Sequence, residues 1–433
     1  MNAQQQCQDL LDFIDASPSP WHVCASIEQK LQGFKFQRLA EQCTWQLEAG
    51  GRYYVIRDDS SIILFVLGSQ ALSNTGFKIL GAHTDSPGLR VKPQPVLHAD
   101  KLLRLAFEVY GGPILATFTD RDLSLAGRVV YQNAQGELNS GLVNLEQVLL
   151  RLPNLAIHMN RAVNEEGLKL NKQTELAAIF SIYLQQQLPE EYFQELLAAA
   201  LGIKAVQILS WELQVYDTQK GQFWGLDQAF YADSQLDNLA SCHAGLTALL
   251  DEATLKSQST LVCAFFDHEE VGSESHKGAA GSFLPDVLQR IALATEIGSE
   301  GYLRSLAQSF MISADMAHAY QPNFPAAYEP NHKLIVNQGT AIKINANQRY
   351  ATDSLAEAQF IHYCQQVGVP YQKYAHRGDL ACGSTIGPIA AAKLGIRTVD
   401  IGNPMWAMHS IRESAGVLDH HYLIKTLSCF FKS

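Results

Sequence analysis

A chain of 433 residues exceeds the size at which one hydrophobic core usually keeps growing, so two domains, or one domain carrying an insertion, are expected. Its 47% hydrophobic and 17% charged residues are ordinary globular composition and argue against long disordered segments. A net charge of −11 without Lys/Arg runs argues against a nucleic-acid partner, and no apolar run is long enough to cross a bilayer. The first 20 residues show neither a basic n-region nor an apolar h-region, and "QQCQDLLDFIDAS" spaces its apolar residues as a helix does. "SPSPWHVCASIEQKLQGF" opens a second helix on Ser/Pro start signals. "RYYVIRDDSSIILFVLG" reads as two strands about an Asp-Asp-Ser turn, and "FKILGAHTDSPGLRVKP" as a third strand breaking at Gly81. The run from Lys101 to about Tyr131 is β material, "TELAAIFSIYLQQQLPEEYFQELLAAALG" reads as helical, and "VQILSWELQVYDTQ" returns to β.

From "LDNLASCHAGLTALLDEA" onward, apolar strands ("TLVCAFFD", "FMISADM", "TAIKINA", "RTVDIG") alternate with helical segments such as "SLAEAQFIHYCQQVG". That alternation predicts an α/β fold, a mixed or mostly parallel sheet covered by helices on both faces. The β-rich middle, residues 93–226, then reads as an insertion between the first part of this domain (1–92) and the second (227–433). The eight cysteines are scattered with no C-x-x-C pair, which fits a soluble cytoplasmic protein with reduced thiols.

Four apolar strands end in polar clusters: "KILGAHTDSPG", "LVCAFFDHEEVGS", "MISADMAHA" and "VDIGNPMWAMHS". Ligands of open α/β sheets sit beyond the carboxyl ends of the strands, so these clusters are candidates to converge, together with Asp237 at the start of a predicted helix. The set comprises His83, Asp85, Asp237, Glu269, Glu270, Asp315 and His409. Mixed imidazole and carboxylate donors suit zinc or a similar divalent ion. Adjacent side chains of an extended strand point to opposite faces, so Glu269 and Glu270 reach one site only if the chain turns there. A metal site gives both a purpose, one as ligand and one as the base that takes a proton from bound water. Asp85 is placed to accept the free ring N–H of His83.

Each piece also has a plainer reading. Asp237-Asn238 is a common helix N-cap, His83-Thr84-Asp85 a common turn, Glu269-Glu270 a solvated loop, and a lone His409 more often a hydrogen-bonded histidine than a ligand. Neither the G-x-G-x-x-G and G-x-x-x-x-G-K-[ST] patterns of nucleotide sites nor the G-x-S-x-G elbow of serine hydrolases is present.

The ordered set "GAHTDSPGLRVKP", "LDNLASC", "FFDHEEVGSES", "SADMAHA", "IKINANQRYAT", "CGSTIGPI" and "AMHSIRE" resembles the aspartyl aminopeptidase family of di-zinc exopeptidases over nearly the whole chain. The resemblance implies a catalytic α/β domain interrupted by a β-rich dimerisation domain, with dimers assembling into a tetrahedral dodecamer. It implies two divalent ions per subunit, zinc with cobalt or manganese as alternatives. His83, Asp237 and Asp315 would hold one ion, and the bridging Asp237 with Glu270 and His409 the other. Glu269 would be the general base and Asp85 would orient His83. His318, Lys343 and Tyr350 would contact substrate, and His158 would reach a neighbouring subunit's site; from the residues alone these four are ordinary strand, core or surface positions. The substrates implied are peptides with a free N-terminus, and Lys343 suggests Asp or Glu as their first residue. Two rival readings are a di-metal aminopeptidase of neutral-residue preference and a metal-stabilised scaffold with little turnover.

Overall fold

A computed structural model of the chain describes residues 1–183 and 189–433. Nine strands form a mixed sheet whose centre is four parallel strands, Thr260–Phe266, Phe77–His83, Phe310–Ala314 and Arg397–Gly402, lying side by side in that order. Each is apolar on both faces because helices cover both. Leu261, Cys263 and Phe265 of the first strand, with Leu80, Ala82 and Ile312, pack against helices Ala3–Asp15, Leu236–Leu249 and Val417–Lys432. Val262, Ala264 and Phe266, with Phe77, Ile79 and Met311, face helices Phe283–Ala294 and Ile386–Leu394. The alternation within each strand therefore divides two cores rather than core from solvent.

The two leading helices form where expected, the second over Pro20–Leu31 with Pro20 in its first turn and Ser19 as a capping side chain. Two readings are corrected. The strand at Phe77 does not break at Gly81 but runs to His83, and Gly81 is there because a Cβ would lie 2.5 Å from Met311 and 2.9 Å from Ile386. The stretch beginning at Thr174 is not one helix. Ala178–Ile182 is an edge strand paired with Leu102–Tyr110, and helix starts only at Pro189. The residues between, 184–188, lie outside the described ones. Pairing to a neighbouring strand outweighs the local helical pattern.

The strands Leu138–Asn144, Leu123–Gln132, Ile208–Asp217, Gly88–Ala99, Leu102–Tyr110 and Ala178–Ile182 form a second sheet, antiparallel throughout, in that order. It has its own core, in which Phe107, Leu125, Leu213, Phe193 and Leu197 meet. A third, five-stranded sheet (Gln222–Trp224, Phe230–Asp233, Glu413–Gly416, Pro404–Trp406, Ala317–His318) lies beyond the carboxyl ends of the central strands. Among the described residues no helix is long and apolar enough to cross a membrane.

Candidate metal centre

The register of the central strands assembles the site. Phe266 pairs with His83, so both strands stop at one level, and Asp315 directly follows the strand ending at Ala314. Thr84 locks this edge, its N–H donating to the Phe266 carbonyl (2.7 Å) and its hydroxyl to that of Ser60 (2.8 Å). After Phe266 the chain turns sharply. His268 takes a left-handed conformation (φ 66°), Glu269–Val271 make one 3₁₀ turn, and Gly272 at φ 97° ends it. This turn brings consecutive glutamates to one cleft. Asp85 holds it, accepting the Glu269 N–H at Oδ1 and the Glu270 N–H at Oδ2, both 3.1 Å, with the Tyr110 hydroxyl at 2.6 Å.

Asp237 is not an N-cap. Its φ/ψ of −83°/102° are non-helical, and its N–H donates to Glu413 Oε2 at 3.0 Å. The neighbouring Asn238 amide donates to the Ala314 carbonyl (2.8 Å), which ties this turn to the strand leading to Asp315. His409 has φ 68°, and its N–H donates to the other Glu413 oxygen at 2.6 Å. Glu413, which sequence reasoning overlooked, thus joins the main chains of two candidate ligands. The one available signal was an acidic residue on an inward-facing strand position. Burial and the Asp237 charge push Glu413 up, while the two N–H donors pull it back.

The side chains converge around Asp237. His83 Nε2 lies 3.4 Å from Asp237 Oδ1 and 3.6 Å from Asp315 Oδ1; His409 Nε2 lies 3.4 Å from both Asp237 Oδ2 and Glu270 Oε1. Both imidazoles are set by main-chain carbonyls, which only accept: His83 Nδ1–H donates to Asp85 (2.9 Å) and His409 Nδ1–H to Gly112 (3.1 Å). The Asp85 carboxylate is farther from His83, at 3.5 Å, so that residue holds His83 through its carbonyl and the glutamate turn through its side chain. Each Nε2 then faces carboxylate oxygens, and the buried His83 Nε2 and Asp237 Oδ1 have no hydrogen-bond partner among the described residues. Donor atoms about 3.4 Å apart are spaced like the ligands of one tetrahedrally bound zinc at about 2.0–2.1 Å from each. His83, Asp237 and Glu270 offer donors all within 4.8 Å of one another.

Charge points the same way. Burial pushes Glu270 up to about 7 and Glu269 well above the ordinary carboxylate range, so acids gathered this closely need a cation. Against burial, the Asp237 and Glu270 carboxylates hold His409 up to about 11. A metal ion would take the place of that proton.

Asp237, Glu270, Asp315 and His409 line a cleft of about 550 Å³ that also includes Glu269, His318, Lys343, Arg349, Tyr350 and Thr385, with His83 buried behind them. Glu269 Oε2 stands 4.0 Å from His83 Nε2. Lys343 is 3% exposed, its Nζ 3.6 Å from Asp315 Oδ2 and 5.4 Å from the centre of the Tyr350 ring. Burial, then the Lys343 charge, lower His318 to about 4, so its ring is neutral near pH 7. His158 does not line this cleft; it sits in an exposed turn of the six-stranded unit.

Comparison with known proteins agrees with this chemistry. A probable M18 family aminopeptidase 2 of Pseudomonas paraeruginosa is 47% identical over 437 residues, covering 98% of each chain. The structure of the Ape4 and Nbr1 complex superposes with a TM-score of 0.96 at 38% identity, covering 99% of this chain and 86% of that one. The S. cerevisiae mApe1 dodecamer gives 0.86 at 27% identity, covering 98% and 96%. The family model described as "Aminopeptidase I zinc metalloprotease (M18)" matches residues 13–431. From its first helix to its last, then, the chain belongs to the M18 family and is a zinc metallo-exopeptidase of the aminopeptidase type.

Proposed function

We propose that the protein removes single N-terminal Asp or Glu residues from peptides, using two metal ions and Glu269 as general base. The observation that carries this is Asp237, whose two oxygens face two separate donor sets, His83 with Asp315 and His409 with Glu270. His83, Asp237 and Asp315 would hold one ion, and Asp237, Glu270 and His409 the other. Zinc fits these donors, and cobalt or manganese can take them too. When bound, such a pair supplies a water acidic enough to lose a proton near neutral pH and polarises the scissile carbonyl.

The protein's own groups do the rest. Glu269 accepts the proton of the attacking water and delivers it to the leaving amine; burial, by raising its proton affinity, suits it to both steps. His318, a neutral ring in the cleft, donates to the developing oxyanion. Lys343 and Tyr350 receive the first side chain. The Lys343 ammonium, buried beside Asp315, gains most from a second carboxylate, which favours acidic residues.

In this reading, residues 93–226 form the dimerisation unit of a tetrahedral dodecamer built from dimers. The mApe1 relative is a dodecamer, and Leu138, Met159 and Val206 of the six-stranded unit are 72%, 75% and 85% exposed. His158, beside Met159, would complete a neighbour's cleft.

The test is release of the first residue from matched Asp, Glu, Leu, Lys and N-acetyl-Asp peptides, with chelated and zinc- or manganese-restored protein. Metal-dependent cleavage of the Asp and Glu peptides alone is expected. Comparable rates on Leu would remove the acidic pocket and keep the mechanism. Silence across the panel would leave an assembly scaffold.

A further inference from the structure

One five-residue stretch of the six-stranded unit meets the metal centre at four points. The strand Leu102–Tyr110 ends with Tyr110, whose hydroxyl donates to Asp85 Oδ2 at 2.6 Å, and Asp85 in turn holds both glutamate N–H groups. The Arg90 guanidinium lies 3.8 Å from the centre of the Tyr110 ring and fixes it from the neighbouring strand. Gly111, at φ +66°, passes so close to the turn that a Cβ would be 3.2 Å from both the Cβ and the carbonyl oxygen of Glu270. The Gly112 carbonyl takes the His409 Nδ1–H, and the Ile114 N–H donates to the His409 carbonyl at 2.9 Å. Glu270 and His409 are the donors that complete one ion's set with Asp237. Among the described residues the stretch has no direct contact of this kind with His83 or Asp315; Tyr110 reaches His83 only through Asp85, whose carbonyl takes the His83 Nδ1–H.

We propose that Tyr110–Ile114 is a positioning element through which the six-stranded unit sets the affinity of the centre for the ion held by Glu270 and His409. Tyr110 acts through Asp85 on the glutamate turn, and Gly112 fixes the tautomer that points His409 Nε2 inward. The inference rests on the two-ion reading above. Its chemical consequence is asymmetry: the stretch reaches the ion held by His83 and Asp315 only through the Asp85 main chain, whereas it bears directly on Glu270 and His409 of the other.

Two variants of the full-length, assembled protein test it. Tyr110→Phe removes one hydroxyl and keeps the ring under Arg90; Gly111→Ala places a methyl against Glu270. Zinc is titrated into chelator-stripped protein in competition with a chromophoric chelator, and kcat and KM are measured on an Asp peptide. Loss of a group that orients a metal ligand typically weakens metal binding 10- to 100-fold. The expected result is that loss on one of two zinc ions, the other within twofold, and a fall in kcat with KM within twofold. A part in stability alone would lower the melting temperature without separating the two affinities. Two zinc ions in the wild type and unchanged affinities in both variants, or affinities that fall together, overturn this inference alone. A wild type that takes up one zinc overturns the two-ion reading and the inference with it.

Discussion

Replacing Glu413 with glutamine changes no candidate ligand, yet it should loosen the metal centre. The two carboxylate oxygens accept the Asp237 N–H at 3.0 Å and the His409 N–H at 2.6 Å in a fully buried setting. Glutamine offers one carbonyl oxygen and an NH₂ group, which has no lone pair for an incoming N–H. One main-chain donor is left unsatisfied and facing another donor, a loss of about 2 kcal/mol. Either Asp237 or His409 must shift to relieve it, so the cost falls on metal binding, about 30-fold at ~1.4 kcal/mol per tenfold. Chelator competition with zinc reads the affinity, and peptide hydrolysis at saturating zinc shows how much activity returns. Zinc affinity within twofold of wild type, in a protein of unchanged melting temperature, would refute the claim that Glu413 sets these two main chains.

Glu269→Gln should keep bound metal and assembly while lowering kcat about 10²- to 10⁴-fold, measured by peptide hydrolysis beside metal analysis. Lys343→Met should lower kcat/KM on Asp peptides about 10- to 150-fold, the worth of one charge-assisted hydrogen bond, and leave Leu peptides nearly unaffected. Burial pushes Asp419 up to about 7, although the Asn337 and Gly339 N–H groups donate to it at 2.6 and 2.7 Å. Its folded pKa is therefore above the unfolded value of about 3.9, so the unfolded chain releases this proton first and stability falls as pH rises through that window. Asp419→Asn should flatten that part of the melting-temperature profile of chelated protein between pH 4 and 7, and an unchanged slope would assign it elsewhere.

The strand ends were legible because an apolar run that stops in ionisable residues carries those charges to the edge of a core, where they cost stability unless a partner or an ion meets them. His83, Glu269, Glu270 and Asp315 lie at such ends, and the structure sets the three acids in one cleft with the buried His83 against Glu269 and Asp315. Gly81 misled because glycine within a strand reads as a break, whereas its function here is to admit Met311 and Ile386, which are more than 200 residues away in sequence. Ala178–Ile182 misled because its pattern suits a helix and only its partner strand makes it β. Glu413 and Tyr110 act through hydrogen bonds to other elements, and no spacing within "SIRESAG" or "FEVYGGP" records those partners. Asp85 lay between the two cases: its neighbourhood to His83 was readable, but its bonds to the glutamate turn 184 and 185 residues later were not.

The candidate donors come from His83, Asp237, Glu270, Asp315 and His409, each on a different segment of the chain. The unfolded polypeptide brings none of them together, so whatever ion they hold binds the native state far more tightly and acts as a clasp on the whole sheet. Each tenfold rise in free metal above the dissociation constant then adds about 1.4 kcal/mol to the stability of every strand between them. Metal supply would therefore raise the protein's resistance to proteolysis as well as its turnover.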